Sequence, residues 1–204
     1  FKKIINDFSI CMKIIDSGRP HHEPYKPGIG PHPETKTNKL VVDQMRKLDG
    51  EFYRNATTEI KYPNSRNKCD LKFELSDETI FSEVKLMRIM RDNGDLEDNA
   101  IKNILSPYPK QKSAITDGIK LLESTFEGTY SIIIIGYDND DCPLITMIEF
   151  FELCAKKFIT LSERYMSSFD DLIIINSEVS HIDNLLVNDH LLLDEINMSF
   201  NSSI

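Results

Sequence analysis

The run Tyr130 to Tyr137 reads Tyr-Ser-Ile-Ile-Ile-Ile-Gly-Tyr. A strand with one wet face alternates apolar and polar side chains, and this run does not. It predicts a central strand covered on both faces, and such a sheet needs helices on both sides. Leu172 to Asn176 predicts a second buried strand of the same kind. Neither run approaches the ~20 apolar residues that cross a bilayer, so no membrane partner is expected.

The other periodicities supply the helices and the remaining strands. Phe1 to Asp16 carries apolar residues at positions 1, 4, 5, 8, 12 and 15, the spacing of one buried helical face, and Gly18 stops it. Gly18 to Pro33 contains Pro20, Pro24, Pro27, Pro31 and Pro33 with Gly28 and Gly30, which predicts an irregular arm. A helix is expected from Thr37 to Leu48, with Leu40, Val41, Met45 and Leu48 on one side. Strands follow at Glu51 to Tyr62, Cys69 to Leu75 and Thr79 to Met87. Helices are expected near Leu96 to Leu105, at Lys110 to Ser124 (Ala114, Ile115, Ile119 and Leu122 inward) and at Leu144 to Leu161. From Thr37 onward the order of the main elements is helix, three strands, helix, strand, helix, strand, which makes a mixed α/β sheet between helices. At 204 residues the chain is long enough for one well-buried domain spanning 1–204, with 1–33 as an N-terminal helix and Pro-rich arm. No basic, apolar leader is seen at the start, and a chain opening on Phe1 is expected to have residues upstream.

The chemistry gathers on one hairpin. With a turn centred between Asp77 and Glu78, Asp70 lies opposite Lys85 and Lys72 opposite Glu83. One face then carries Leu71, Phe73, Leu75, Ile80, Ser82, Val84 and Leu86 and packs on a core. The other carries Asp70, Lys72, Glu74, Phe81, Glu83, Lys85 and Met87. Asp70, Glu83 and Lys85 thus fall within cross-strand or diagonal reach. Two carboxylates that close repel unless a cation lies between them, and Mg²⁺ accepts one or two carboxylates while leaving positions for water and phosphate. A lysine beside such an ion orients or deprotonates the attacking water, or stabilises the charge on a pentavalent phosphorane. The same residues would also serve as a solvated sheet face laced by cross-strand ion pairs, each worth little.

Asp70, twelve intervening residues and then Glu83-Val84-Lys85 resembles the PD-(D/E)XK nuclease superfamily, the restriction-endonuclease-like fold. The order of elements over roughly residues 37 to 137, and on toward 176, is similar as well. The position before Asp70 is Cys69 where the family pattern has Pro. The resemblance implies a mixed β-sheet flanked by helices, with Asp70 and Glu83 as metal ligands, the Val84 main-chain carbonyl as a further ligand and Lys85 as catalytic lysine. It implies Mg²⁺ as cofactor, with Mn²⁺ able to substitute. It also places the helix that starts at Lys110, Gln111, Lys112 and Ser113 beside the metal, where a helix N-terminus receives phosphate. A further acidic residue on the first helix is represented by Glu34 or Asp43, with Glu34 preferred, and Gln111 is a second added candidate for the catalytic site.

The expected activity is therefore metal-dependent endonucleolytic hydrolysis of double-stranded DNA, most like a type II restriction enzyme. A homodimer is expected, because one site per chain must be doubled to cut both strands. The alternatives are a structure-specific repair or RNA nuclease of the same fold, and a non-catalytic nucleic-acid or protein-binding module. The net charge of −9 looks wrong for a DNA partner, but it is uneven. Residues 123–204 hold 15 acidic and 3 basic side chains, whereas residues 1–122 hold 18 and 21, so any polyanion should meet the first part. There Lys72, Arg88, Lys110, Lys112 and Ser113 are the expected nucleic-acid contacts, with Lys61, Arg66, Lys68 and Arg91 alongside. His21, His22 and His32 lack zinc spacing and are expected on a flexible arm; Asp138 to Asp141 reads as a solvated turn. Cys11, Cys69, Cys142 and Cys154 form no CxxC pair, which predicts free thiols in a reducing cytoplasm.

Overall fold

A computed structural model describes residues 1–18, 20, 28–29, 32–63, 65–87, 103–104, 106, 110 and 112–136, and the backbone alone of 137, 159–169 and 172–182. The chain forms α1 (Lys2–Ser17), α2 (Glu34–Leu48), β1 (Thr57–Lys61), β2 (Lys68–Glu74), β3 (Thr79–Met87), α3 (Ala114–Glu123), β4 (Thr129–Tyr137), β5 (Ile159–Phe169) and β6 (Leu172–Ile182). The strands make one mixed sheet in the order β1-β2-β3-β4-β6-β5. Only β3 and β4 run parallel; the other neighbours are antiparallel. The isoleucine-rich run is the interior strand it promised to be, with Ile132 to Ile135 all buried. No described helix is long and apolar enough to cross a membrane.

Each face of the sheet has its own core. Ile4, Ile5, Phe8 and Met12 of α1 and Val41, Val42 and Met45 of α2 pack against Leu71, Phe73, Ile80, Val84, Ile133 and Ile135. Burial of each large side chain contributes about 1.5–3 kcal/mol. Ser82 sits within this apolar face because its hydroxyl pairs with Ser131 of β4 at 2.6 Å, each satisfying the other. On the opposite face Tyr62, Cys69, Phe81 and Leu121 of α3 pack with Phe126, whose ring stacks on Phe81 at 4.1 Å.

Several boundaries differ from the sequence reading. Helix α2 begins at Glu34 rather than Thr37, while Leu40 is only half-buried and Leu48 is exposed, so Val42 takes the inner place. Residues 51–55 form turns, which shortens the first strand to Thr57–Lys61. Helix α3 begins at Ala114, because the Ser113 side chain accepts the Thr116 N–H and ends the helix there in a capping box. Its buried stripe is Ala114, Asp117, Gly118 and Leu121 with Ile115, and Ile119 and Leu122 are only half-buried. Residues 159–161, expected at the end of a helix, begin β5, and β6 extends to Ile182. His32 is buried instead of riding on a flexible arm; its N–H bonds the Ile29 carbonyl, and the Ile29 N–H bonds Asp16 of α1 at 2.9 Å. Most of that arm, His21, His22, Arg88, Arg91, Gln111, Asp138 to Asp141, most of the helix expected at 96–105 and residues 144–158 lie outside the described residues, as do Cys142 and Cys154. Cys11 and Cys69 are free and buried.

Candidate active site

The hairpin turn is centred one residue earlier than the sequence reading placed it. The Leu75 N–H bonds the Glu78 carbonyl, leaving Ser76 and Asp77 as a two-residue turn. Strand partners are Leu71 with Ser82, Lys72 with Phe81, Phe73 with Ile80 and Glu74 with Thr79. The pairings of Asp70 with Lys85 and of Lys72 with Glu83 are therefore incorrect: the register is displaced by two residues. A two-residue displacement leaves every side chain on its assigned face. It also brings the Asp70 end of β2 level with Glu83, so the two carboxyls meet more directly.

The ladder stops at this point. Beyond Leu71–Ser82, the Val84 N–H donates to Asp70 Oδ2 at 2.8 Å, and the side chain replaces a strand carbonyl. Across β1 the pairing skips Glu59 and Asp70, and Glu59 is held at φ 59°, a left-handed conformation that costs of order 1 kcal/mol or more in a non-glycine residue. Alternation breaks in step: Cys69 packs toward α3 while Leu71 and Phe73 face α1 and α2. Such a local irregularity re-aims a side chain, here the Asp70 carboxyl. A strand residue directs its N–H and C=O to the same side, so the Val84 carbonyl also faces the gap beside Asp70.

Asp70 and Glu83 are both buried, and their carboxyl groups are hydrogen-bonded to each other. Burial, then the charges of Asp70 and Asp117, pushes Glu83 up to about 9. Burial also raises Asp70, against hydrogen bonds from Glu83 and Val84 that lower it. The two carboxyls therefore titrate as one coupled pair, and burial favours their sharing a proton. The Tyr62 hydroxyl donates to Glu83 Oε1 at 2.5 Å and is itself raised by burial and by Glu83.

Glu34 reaches the same place from the first turn of α2. Its Oε2 accepts the Leu86 N–H at 3.2 Å, and its Oε1 lies 4.0 Å from Lys85 Nζ. Burial, offset in part by Lys85, lifts it to about 7. Asp43, the other option on this helix, pairs instead with Arg46 at 2.8 Å. Lys85 is nearly buried; burial lowers its pKa, but Asp117 and Glu34 outweigh that and leave it raised. The net direction is upward because Asp117 lies 2.6 Å away.

The expected nucleic-acid contacts fare unevenly. Ser113 is fully buried: its hydroxyl caps Thr116 and donates to the Ser106 carbonyl, and Asp117 stands in the same first turn. The Ser113 hydroxyl thus occupies the Thr116 amide and Asp117 sets a carboxylate in the same turn, which disfavours phosphate at this helix start. Lys110 and Lys112 are exposed but precede the helix. Lys72 pairs with Glu74 at 2.6 Å and lies over the Phe81 ring, and Lys68 pairs with Glu59 at 2.8 Å. An open cleft lined by Asp49, Phe52, Arg54 and Glu74 lies toward the turn end of the hairpin and includes none of the carboxyl pair's neighbours.

Sequence reasoning missed Tyr62, Asp117 and Lys120. Asp117 did carry a signal: it occupies the apolar stripe of α3, between Ala114 and Leu121, where a carboxylate needs a partner. Among the described residues, no group of three or more His, Cys, Asp or Glu side chains is arranged to hold a metal ion. The carboxyl side chains in contact here are those of Asp70 and Glu83. Comparison with protein-family models, curated proteins and solved structures finds no match to this chain.

Proposed function

We propose that this chain is a Mg²⁺-dependent endonuclease that hydrolyses DNA phosphodiester bonds, with the restriction-endonuclease-like fold. The observation that carries this reading is the contact of the Asp70 and Glu83 carboxyls where β2 and β3 part, with Lys85 on the same face of β3. A buried, mutually hydrogen-bonded carboxyl pair relieves its repulsion by holding a proton, and a divalent ion relieves the same repulsion more fully. Four carboxyls (Glu34, Asp70, Glu83, Asp117) surround two ammoniums (Lys85, Lys120), so the ionised cluster has two negative charges in excess, which one divalent cation neutralises.

Asp70, Glu83 and the Val84 carbonyl would hold Mg²⁺, with Mn²⁺ as substitute. When bound, the cation supplies Lewis-acid polarisation of the phosphate and charge neutralisation. Lys85, kept protonated by Asp117, stabilises the charge that develops on the phosphorane oxygens. Glu34, raised to about 7, is placed to accept a proton from the attacking water near neutral pH. Tyr62 fixes the rotamer of Glu83. Cutting both strands of a duplex calls for a homodimer, and the free Cys11 and Cys69 accord with a cytoplasmic setting.

The test is supercoiled plasmid with Mg²⁺, compared with EDTA and with Lys85→Ala. Discrete fragments identify restriction, and a smear a non-specific nuclease. Cleavage of branched DNA or RNA alone moves the substrate to a repair intermediate or to RNA. A second reading, a non-catalytic binding module, is favoured by the absence, among the described residues, of three or more His, Cys, Asp or Glu side chains grouped to hold a metal ion. Nucleic-acid or protein binding without cleavage of any substrate selects it.

A further inference from the structure

Helix α3 brings to the carboxyl pair an ammonium, that of Lys120, to which the chemistry above gives no part in the reaction. Asp117 Oδ2 lies 2.6 Å from Lys85 Nζ, and its Oδ1 lies 2.6 Å from Lys120 Nζ. One buried carboxylate therefore holds two ammonium groups, one on each oxygen. Lys120 also lies 3.5 Å from Glu83 Oε1, and its ammonium sits 5.7 Å from the Tyr62 ring centroid. The two ammoniums differ in access: the Lys120 side chain is 33% exposed and that of Lys85 12%.

We propose that Lys120 is a phosphate-binding residue of this site, and that Asp117 is the positioning residue that spaces its ammonium from that of Lys85. The proposal rests on the phosphodiesterase reading of Asp70, Glu83 and Lys85. An ammonium has three donors and Asp117 occupies one on each lysine, which leaves donors for a second acceptor. A phosphate presents two oxygens at a spacing close to that of a carboxylate. The pair that grips Asp117 on one side is therefore set to grip a phosphodiester on the other. Lys120, as the more open cation, meets the incoming strand first, and Lys85 lies deeper, beside Glu34 and the carboxyl pair. Position 120 supplies a point charge, so the contact adds affinity without reading sequence.

The assignment is tested by fluorescence anisotropy of a labelled DNA duplex, with Ca²⁺ as the oxygen-ligated ion, across a salt series. Lys120→Ala is expected to weaken binding about tenfold on every sequence and to reduce the salt slope by about one. Lys120→Arg restores both. In steady-state cleavage with Mg²⁺, Asp117→Asn is expected to lower kcat about 10²-fold with KM unchanged or reduced, because the ammoniums lose their spacing while a negative charge leaves the phosphate's side. Far-ultraviolet circular dichroism confirms that each variant is folded. A wild-type salt slope and affinity in Lys120→Ala, in a protein that cuts DNA, overturns the Lys120 assignment and leaves the nuclease reading standing. Raised KM with unchanged kcat in Asp117→Asn overturns the positioning role. A folded wild type that neither binds nor cuts nucleic acid overturns the nuclease reading and this proposal with it.

Discussion

The Asp70 carboxylate accepts the main-chain N–H of Val84 at 2.8 Å, a bond that crosses the hairpin where the β2–β3 ladder ends. One side chain thereby closes the backbone of β3 and carries one half of the carboxyl pair.

These two duties separate by mutation. Asp70→Asn keeps an oxygen acceptor for Val84, so stability is expected to change by less than about 1 kcal/mol while the Mg²⁺-induced rise in melting temperature disappears. Asp70→Ala also strands a buried N–H, which costs about 1–3 kcal/mol. Urea denaturation measures the first and thermal melts with and without Mg²⁺ the second; equal stability of the two variants would contradict the bond's structural part.

Lys85→Ala is expected to reduce DNA cleavage about 10²–10⁴-fold, the usual contribution of a positioned catalytic group. Its cost in stability should stay below the ~3–5 kcal/mol of an abandoned buried charge, because Asp117 keeps Lys120 at 2.6 Å. Cleavage rates and chemical denaturation on the same preparation check this. A variant that unfolds outright would show that the pair is chiefly structural.

The pH dependence follows from Glu83, raised to about 9, and Glu34, raised to about 7, in both cases first by burial. A carboxyl with a raised folded pKa holds its proton more tightly folded than unfolded. Its contribution is fully present below the ordinary carboxyl range and is lost as pH climbs through the raised value. Stability of the cation-free protein is therefore expected to fall as pH rises toward about 9, by about 1.4 kcal/mol per pH unit for each group within its window. Glu83→Gln, neutral throughout, should flatten the profile and melt above wild type at the alkaline end. Added Mg²⁺ should raise the melting temperature more at high pH than at low. Thermal melts across pH in EDTA decide it, and a wild-type profile that rises through this range runs against the shared proton.

Gly128→Ala probes the join between β3 and β4. A Cβ there would overlap the Thr79 carbonyl oxygen and crowd the Phe81 ring, and the glycine's φ of 158° disfavours any side chain. A loss of about 1–3 kcal/mol is expected, with cleavage retained at temperatures where the variant is folded. Loss of cleavage in a fully folded variant would tie this joint to the site.

Much of the architecture is local information written along the chain. Period-two patterning assigned the faces of Leu71, Phe73, Ile80 and Val84 against those of Asp70, Lys72, Glu83 and Lys85, and the uniformly apolar Ile132–Ile135 marked an interior strand. These assignments depend only on a residue's neighbours one or two places away, so they survive a wrong turn. Register does not: displacing it by two residues keeps every face, and the hydrophobic pattern scores both alignments alike. The ends of helices likewise turned on single hydrogen bonds, such as the Ser113 cap.

The pairing of Asp70 and Glu83 with Lys85 close by was therefore determined by sequence in its ingredients and by tertiary structure in its contacts. Sequence placed three ionisable groups on one face. Only folding decided that Asp70 would leave the ladder to bond Val84, and that Glu34 would enter from α2. It also decided that Asp117, Lys120 and Tyr62, distant along the chain, would surround Glu83. The physical reason is range: a β face is set by adjacent peptide geometry, whereas a buried charge acquires its partners only when separate elements close one low-dielectric space around it.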